Sequence, residues 1–226
     1  MDLNQVFENF CNKLSQRKGK MTEDNVRYYW FAQMYDEDPE LNHYMLEAPY
    51  IKLQDKELDL KYFNGKEQWA MEMKFHRYSE NSDLPHTDAA GDLFNDILRL
   101  QYAPVEAEIP TRRLFLYVTD NEMDAYLSKE DCKIWQNLTF RRELRRFYTM
   151  CENTTSVFRF KENETNAKDT IPSTFTKSAL DSIDADKKEF STPQICLLRS
   201  KKLSNMNRES FKDAECHIRL YEIIMK

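Results

Sequence analysis

Residues 56–75 read KELDLKYFNGKEQWAMEMKF, and their pattern predicts the centre of the sheet. Two runs of alternating apolar and polar residues flank the dipeptide Asn64-Gly65. Asn-Gly between alternating runs is the strongest short-range signal for a β-hairpin. With a two-residue turn, Phe63 faces Lys66, and successive side chains alternate between the two faces. The stretch therefore predicts two antiparallel strands, the second of them central in a sheet.

The predicted register sorts the charged side chains onto one face of the hairpin. That face holds Glu57, Asp59, Ala70, Glu72 and Lys74, and the apolar face holds Leu58, Leu60, Tyr62, Trp69, Met71, Met73 and Phe75. Asp59 and Glu72 become diagonal neighbours, within reach of a shared ion. Two carboxylates that close repel when both are ionised, and a divalent cation with oxygen ligands, Mg²⁺ or Mn²⁺, relieves the repulsion. Lys74 points to the same side, where it could orient a water.

Two alternatives remain for this charged face. It could be an ordinary solvated face, because acid-x-Lys is a frequent tripeptide and recurs here at 131–133 and 186–188. Against that, a strand reading Trp-Ala-Met-Glu-Met-Lys-Phe is typical of a central strand, where charges require compensation. A glycosidase would also use paired carboxylates, but it does not account for the lysine.

The elements around the hairpin predict an α/β (α+β) fold with a mixed central sheet flanked by helices. Helices are predicted at 2–16, from an N-cap at Thr22 to about Pro39, at 87–100, at 121–127 and at 141–148. Further strands are predicted at 114–118, 156–160, 194–199 and 217–225, with long surface loops at 161–192.

The acids and the lysine of the hairpin resemble the signature of the PD-(D/E)xK superfamily of restriction-endonuclease-like nucleases. That signature is an Asp on one strand followed by (Asp/Glu)-x-Lys on the next, here Asp59 and then Glu72-Met73-Lys74. One departure is Leu58, which stands where the half-motif has Pro. The helix before the hairpin often offers a further acid in this family, and Glu23 lies at the matching position.

The resemblance also implies an organisation of the chain. The family's αβββαβ core matches the predicted order over residues 22 to about 127. A basic helical segment at about 128–150 and a C-terminal extension at about 151–226 lie outside the resemblance. A length of 226 residues suits one domain, so we expect a single domain over 1–226.

The activity implied by the resemblance is metal-dependent hydrolysis of DNA phosphodiester bonds, in a restriction or DNA-repair role. Asp59, Glu72 and the main-chain carbonyl of Met73 would hold Mg²⁺ or Mn²⁺. Lys74 would position the attacking water, and Glu23 would complete the site. The family also implies a homodimer, since cleavage of a duplex requires that both of its strands be cut. The alternative is a catalytically inactive nuclease-like domain that binds nucleic acid or a protein partner.

A separate basic stretch, FRRELRRFY at 140–148, is a candidate for contacting phosphates. Its four arginines are Arg141, Arg142, Arg145 and Arg146. Phosphate contacts supply most of non-specific affinity for nucleic acid. A solvated amphipathic helix explains the same pattern. The net charge of −6 argues against a protein that simply coats DNA, although a nuclease can be acidic overall if its cleft is basic.

Composition excludes several classes of protein. The three glycines do not form a GxxxxGK loop or a GxGxxG turn, which excludes P-loop NTPases and glycine-fingerprint Rossmann enzymes. Five dispersed cysteines argue against a disulfide framework. We expect no signal peptide, because residues 1–20 contain no long apolar run, and no membrane span, because none of the chain's apolar runs approaches the required length of about 20 residues. These features together predict a cytoplasmic protein.

Overall fold

The computed structural model describes residues 1–50, 53, 55–77, 86–128, 145–161, 170–172, 193–209, 211 and 214–224, with backbone alone at 86–92, 159–161 and 170–172. The helices are α1 (Leu3–Ser15), α2 (Glu23–Glu37), α3 (His86–Arg99) and α4 (Asn121–Ser128), with 3₁₀ turns at Leu41–His43 and Leu100–Tyr102 and a short helical segment at 145–148. The strands are β1 (Tyr44–Pro49), β2 (Glu57–Phe63), β3 (Gln68–His76), β4 (Thr111–Asp120), β5 (Thr154–Val157), β6 (Arg159–Lys161), β7 (Thr170–Pro172), β8 (Gln194–Ser204) and β9 (Glu215–Ile224).

Seven of these strands form one mixed sheet in the order β1-β2-β3-β4-β9-β8-β5. β3 and β4 pair in parallel, with α3 between them in the chain, and the other pairs of this sheet are antiparallel. The predicted mixed sheet flanked by helices is therefore confirmed. β6 and β7 pair with each other in a separate two-stranded sheet.

Helices cover both faces of the seven-stranded sheet, and each face has its own apolar core. On one face, α1 and α2 pack through Phe10 and Trp30 onto Met71 of β3. On the other face, α3 and α4 pack onto β4 and β9, and the core there includes Ile97 and Tyr221. None of the helices in the described ranges is long and apolar enough to cross a membrane.

The hairpin between β2 and β3 forms, but the predicted two-residue turn is wrong. Phe63 pairs with Gln68 rather than with Lys66, so the loop contains the four residues 64–67. The Asn64 side chain accepts the backbone N–H groups of Lys66 and Glu67, each at 3.0 Å, and this local bonding stabilises the longer loop. The register moves by two residues, and a shift of two leaves each side chain on its predicted face.

One side chain of β2 nevertheless lies on the opposite face from the prediction. Leu58 was expected beside Leu60, but it packs in the core under α3, with Ala70, while Leu60 packs under α1 and α2. The alternation breaks at Asp59, where β2 leaves β3. Backbone pairing with β3 runs from Phe63 to Leu60, and Leu58 pairs with Ala48 of β1.

The C-terminal extension completes the sheet. β9 lies against β4, and β8 lies against β9, so the predicted final strands are confirmed with longer bounds. Phe147, from the basic segment, stacks on Tyr221 of β9 with ring centroids 4.3 Å apart. The extension and the basic segment thus share the core under α3.

The first helix of the site region depends on a local cap that can be tested. Thr22 Oγ1 accepts the N–H of Asn25, and Asn25 Oδ1 accepts the N–H of Thr22, a reciprocal capping box at the start of α2. We expect Thr22→Ala to lower the free energy of unfolding by about 1 kcal/mol, measured by chemical denaturation, because it leaves Asn25 N–H unsatisfied. Thr22→Ser keeps the acceptor and is the control. Equal losses in both variants would contradict the role of the cap.

Candidate active site

The candidate site lies in a gap where β2 and β3 separate. Beyond Leu60, β3 continues to His76 alongside β4. Beyond this point, backbone N–H groups of β3 that point toward β2 donate to side chains instead of to the carbonyls of a neighbouring strand. Asp59 Oδ2 accepts the N–H of Met73 at 2.6 Å, and Glu23 Oε2 accepts that of Phe75 at 3.4 Å. We call this gap the notch. Two carboxylates stand in it where a continuing strand would place its carbonyls.

Burial makes the two central carboxylates of the notch costly to ionise. Asp59 is 8% exposed and Glu72 is 2% exposed. Desolvation raises the pKa of Asp59 from 3.8 to about 6, although the Arg27 guanidinium and the Met73 N–H act in the opposite direction. Burial, followed by the charges of Asp59 and Asp96, raises the pKa of Glu72 well above its ordinary value. The charge of Asp59 therefore adds to the cost of ionising Glu72.

Lys74 and Glu23 complete the predicted set. Lys74 Nζ lies 3.6 Å from Glu23 Oε2 and 3.8 Å from Asp96 Oδ2, so it bridges acids from α2 and α3. α2 and α3 cover opposite faces of the sheet, and their acids meet at this lysine because the notch opens between those faces. The structure thus brings together all four side chains that the sequence predicted, Glu23, Asp59, Glu72 and Lys74.

Four further polar side chains belong to the cluster and were missed. Arg27 Nη2 lies 2.8 Å from Asp59 Oδ1 and 2.9 Å from Glu23 Oε1. Tyr50 donates its hydroxyl to Glu72 Oε1 at 2.6 Å. Arg99 pairs with Asp96 on α3, and its Nε lies 3.8 Å from Glu72 Oε1. Among the side chains that the structure describes, the notch therefore contains four acids and three bases, which leaves one formal negative charge.

Two of the missed side chains carried a signal in the sequence. Asp96 lies three residues after Leu93 and one before Ile97, on the apolar stripe of α3, and an acid on such a stripe is either paired or functional. Arg27 follows Glu23 by four residues, so the two lie on one face of α2. Tyr50 and Arg99 carried no comparable signal, because nothing in their local sequence points toward Glu72.

The donors in the notch are chemically suited to a hard cation. Carboxylate and carbonyl oxygens are the ligands that Mg²⁺ and Mn²⁺ prefer. The N–H and C=O of one strand residue point to the same side, so the Met73 carbonyl faces the notch together with the N–H that Asp59 accepts. In the part of the chain that the structure describes, three or more His, Cys, Asp or Glu side chains do not converge as a ready metal-binding group. The side chain that contacts Asp59 Oδ1 is Arg27.

The remaining predicted residues have different surroundings. His76, two residues after Lys74 on β3, lies 3.0 Å through Nδ1 from the Tyr117 hydroxyl, and burial lowers its pKa to about 3. Arg141 and Arg142 lie outside the described residues. Arg145 is exposed, whereas Arg146 lies over the Phe158 ring, 4.3 Å from its centroid.

Because the buried carboxylates of the notch are costly to ionise, we expect them to lower the free energy of unfolding as the pH rises. Because the folded-state pKa of Asp59, about 6, exceeds its ordinary 3.8, the folded protein binds this proton more tightly than the unfolded chain. The contribution of Asp59 to the free energy of unfolding is therefore complete below about pH 4 and is lost as the pH rises through about 6. Glu72 acts in the same direction.

We expect Glu72→Gln, which mimics the protonated acid, to raise the free energy of unfolding by more than about 1 kcal/mol at pH 8 in EDTA. The gain should shrink toward pH 4.5, measured by urea denaturation across this range. Glu57→Gln, an exposed acid on β2, is the matched control and should change little. A Glu72→Gln protein that is less stable than wild type at pH 8 would contradict the charge argument.

Comparison with known proteins gives no family assignment. Family models, curated proteins and solved structures were compared with this chain, and none matches it. A function must therefore be inferred from the geometry and charge of the notch.

Proposed function

We propose that this protein is a metal-dependent nuclease of the PD-(D/E)xK type, which hydrolyses DNA phosphodiester bonds in a restriction or repair role. The observation that carries the proposal is the notch itself, where buried Asp59 and Glu72 adjoin Lys74 at the point where two central strands separate. The element order α2-β1-β2-β3-α3-β4, with β3 parallel to β4, also supports a restriction-endonuclease-like core.

The carboxylates in the notch would hold the metal. Asp59, Glu72 and the Met73 carbonyl supply the oxygen donors, and Mg²⁺ or Mn²⁺ bound there would polarise the phosphate and lower the pKa of a bound water. Two buried acids with raised pKa values gain from a divalent cation, because it removes the repulsion between them.

Lys74 would act on the attacking water and on the charge that develops at the phosphate. Its contacts with Glu23 and Asp96 keep the ammonium at the rim of the notch, 23% exposed, where a substrate can reach it. A cation positioned in this way stabilises the additional negative charge of the transition state. Glu23 holds Lys74 and the N–H of Phe75 at once, so it orients the lysine relative to β3.

A second candidate function is a catalytically inactive nuclease-like domain that binds nucleic acid or a protein partner. The specific observation in its favour is Arg27, whose guanidinium bridges Asp59 and Glu23 and neutralises charge that a metal would otherwise neutralise. Together with Arg99 near Glu72, Arg27 supplies the acids with arginine counterions in place of a metal ion. The two candidates differ in whether a divalent ion displaces Arg27 from Asp59.

The first activity prediction concerns the acids and the lysine. In an assay of plasmid nicking with Mg²⁺ or Mn²⁺, we expect Glu72→Ala to abolish cleavage and Lys74→Ala to lower the rate by about 10²- to 10³-fold. Lys74→Ala should still bind the metal, because its ammonium is not a ligand. Glu57→Ala, on the same hairpin, should cleave at the wild-type rate. Nicking by Glu72→Ala at the wild-type rate would remove the proposal, and an inactive wild type would favour the second candidate.

The second prediction concerns the counterion. We expect Arg27→Gln to bind Mg²⁺ about tenfold more tightly than wild type, because the cation that competes for Asp59 is gone. Isothermal titration calorimetry, or the rise in unfolding temperature with Mg²⁺, measures this. Arg112→Gln, which removes an arginine paired with Glu222 away from the notch, is the control. Weaker binding by Arg27→Gln would mean that Arg27 holds the acids in place instead of competing for them.

A further inference from the structure

The two central carboxylates of the notch each have one oxygen bound to a donor that is fixed in place. Tyr50 donates its hydroxyl to Glu72 Oε1 at 2.6 Å, and the backbone N–H of Met73 donates to Asp59 Oδ2 at 2.6 Å. The other oxygen of Asp59, Oδ1, pairs with Arg27, whose side chain is 27% exposed and can turn away from the notch. A cation that enters the notch therefore has one oxygen of each carboxylate open to it, Oδ1 of Asp59 and Oε2 of Glu72.

Tyr50 differs from Arg27 because its side chain cannot turn away. Its backbone N–H donates to the carbonyl of Lys56 at 3.0 Å, and the residue is 5% exposed, in the core under α3 that also contains Leu58. Burial, followed by the charge of Glu72, raises the pKa of Tyr50, so its hydroxyl stays protonated and acts as a donor. Arg99 also approaches Glu72 on the Oε1 side, through Nε at 3.8 Å.

Divalent cations differ in how many carboxylate oxygens they require. Ca²⁺ takes about six to eight oxygen ligands in a flexible shell, and a carboxylate often supplies both of its oxygens to this ion. Mg²⁺ is smaller, retains several of its waters and is commonly held through one or two carboxylates. Carboxylates that offer one oxygen each therefore suit Mg²⁺, whereas a Glu72 with both oxygens open would suit Ca²⁺ better.

We propose that Tyr50 sets the ion selectivity of the notch: by holding Glu72 Oε1, it limits this carboxylate to one metal ligand and favours Mg²⁺ or Mn²⁺ over Ca²⁺. The inference rests on the proposed function for the presence of a divalent cation. It goes beyond that function because it assigns the choice of cation to a side chain that is not itself a ligand. Its basis is the hydrogen bond of 2.6 Å, which is made to one oxygen of the carboxylate by a donor fixed in the core.

The same hydrogen bond also has a structural explanation, which the test must separate from selectivity. A buried carboxylate requires a donor, and Tyr50 supplies one to Glu72. If this were its whole role, removal of the hydroxyl would change the binding of Mg²⁺ and Ca²⁺ by the same factor. Selectivity predicts instead that the two affinities change by different factors, so their ratio is the quantity to measure.

The test is Tyr50→Phe in the full chain, which removes the hydroxyl and keeps the ring packed under α3. Binding of MgCl₂ and of CaCl₂ is measured by isothermal titration calorimetry without nucleic acid. We expect the affinity for Ca²⁺ relative to Mg²⁺ to rise about tenfold over wild type, the size of effect that exchange of one contact to a charged group produces. The rise in unfolding temperature with each ion is a second readout.

Tyr62→Phe is the matched control. Tyr62 is also buried, and its hydroxyl donates to a carboxylate, Asp38 Oδ2, at 2.8 Å. Asp38 is not one of the acids of the notch, so this variant should keep the wild-type ratio of the two affinities. An equal change of the ratio in both tyrosine variants would overturn the assignment to Tyr50.

The remaining outcomes decide the inference separately from the proposed function. An unchanged ratio in Tyr50→Phe would overturn the selectivity role, even if wild type nicks plasmid with Mg²⁺. Wild type alone also tests it, since a wild type that binds Ca²⁺ more tightly than Mg²⁺, or binds neither ion, would overturn it without any variant. A ratio that shifts in Tyr50→Phe alone, with no cleavage by wild type, would support the selectivity role and remove the nuclease proposal.

Discussion

The hydrogen bond from Met73 N–H to Asp59 Oδ2 is the interaction on which the site depends. It takes the place of a strand-to-strand bond, so β2 can leave β3 without leaving a buried N–H unsatisfied. At the same residue, Asp59, the alternation that would have put Leu58 beside Leu60 is broken. Glu23 repeats the substitution at Phe75, so the notch extends along β3.

This arrangement costs electrostatic free energy, because buried carboxylates are hard to ionise. Four acids lie around the notch, and burial raises the pKa of Asp59 and Glu72 despite the bases around them. A stable core would not retain such a cluster, since apolar residues of similar volume often serve stability as well or better. Local rules tend to be broken at functional sites, and the break here coincides with buried carboxylates that lie beside a lysine and two arginines.

The sequence was informative where a local pattern determines the structure. Alternation and the Asn-Gly pair predicted β2 and β3, and the resulting faces put Glu72 and Lys74 together. The turn was predicted two residues too short, because the Asn64 carboxamide bonds to the next backbone N–H groups and stabilises a longer loop. Arg99 and Tyr50 could not be predicted, since their contacts with Glu72 depend on how α3 and the segment before β2 fold over the sheet. The order of the seven-stranded sheet likewise depends on β9 pairing with β4, a contact between residues about a hundred positions apart in the chain.

The central strand β4 also fixes the position of the lysine at the notch. Phe115, Tyr117 and Tyr221 form a packed aromatic layer on the face of the sheet that α3 covers, with Phe147 stacked upon it. Packed aromatic side chains have few alternative rotamers, so the layer holds β4 and β9 in fixed register. Lys74 pairs with Tyr117, so the position of its backbone is set by a strand that is buried on this face. The buried apolar core under α3 is thus also what determines where the ammonium of Lys74 lies relative to Asp96.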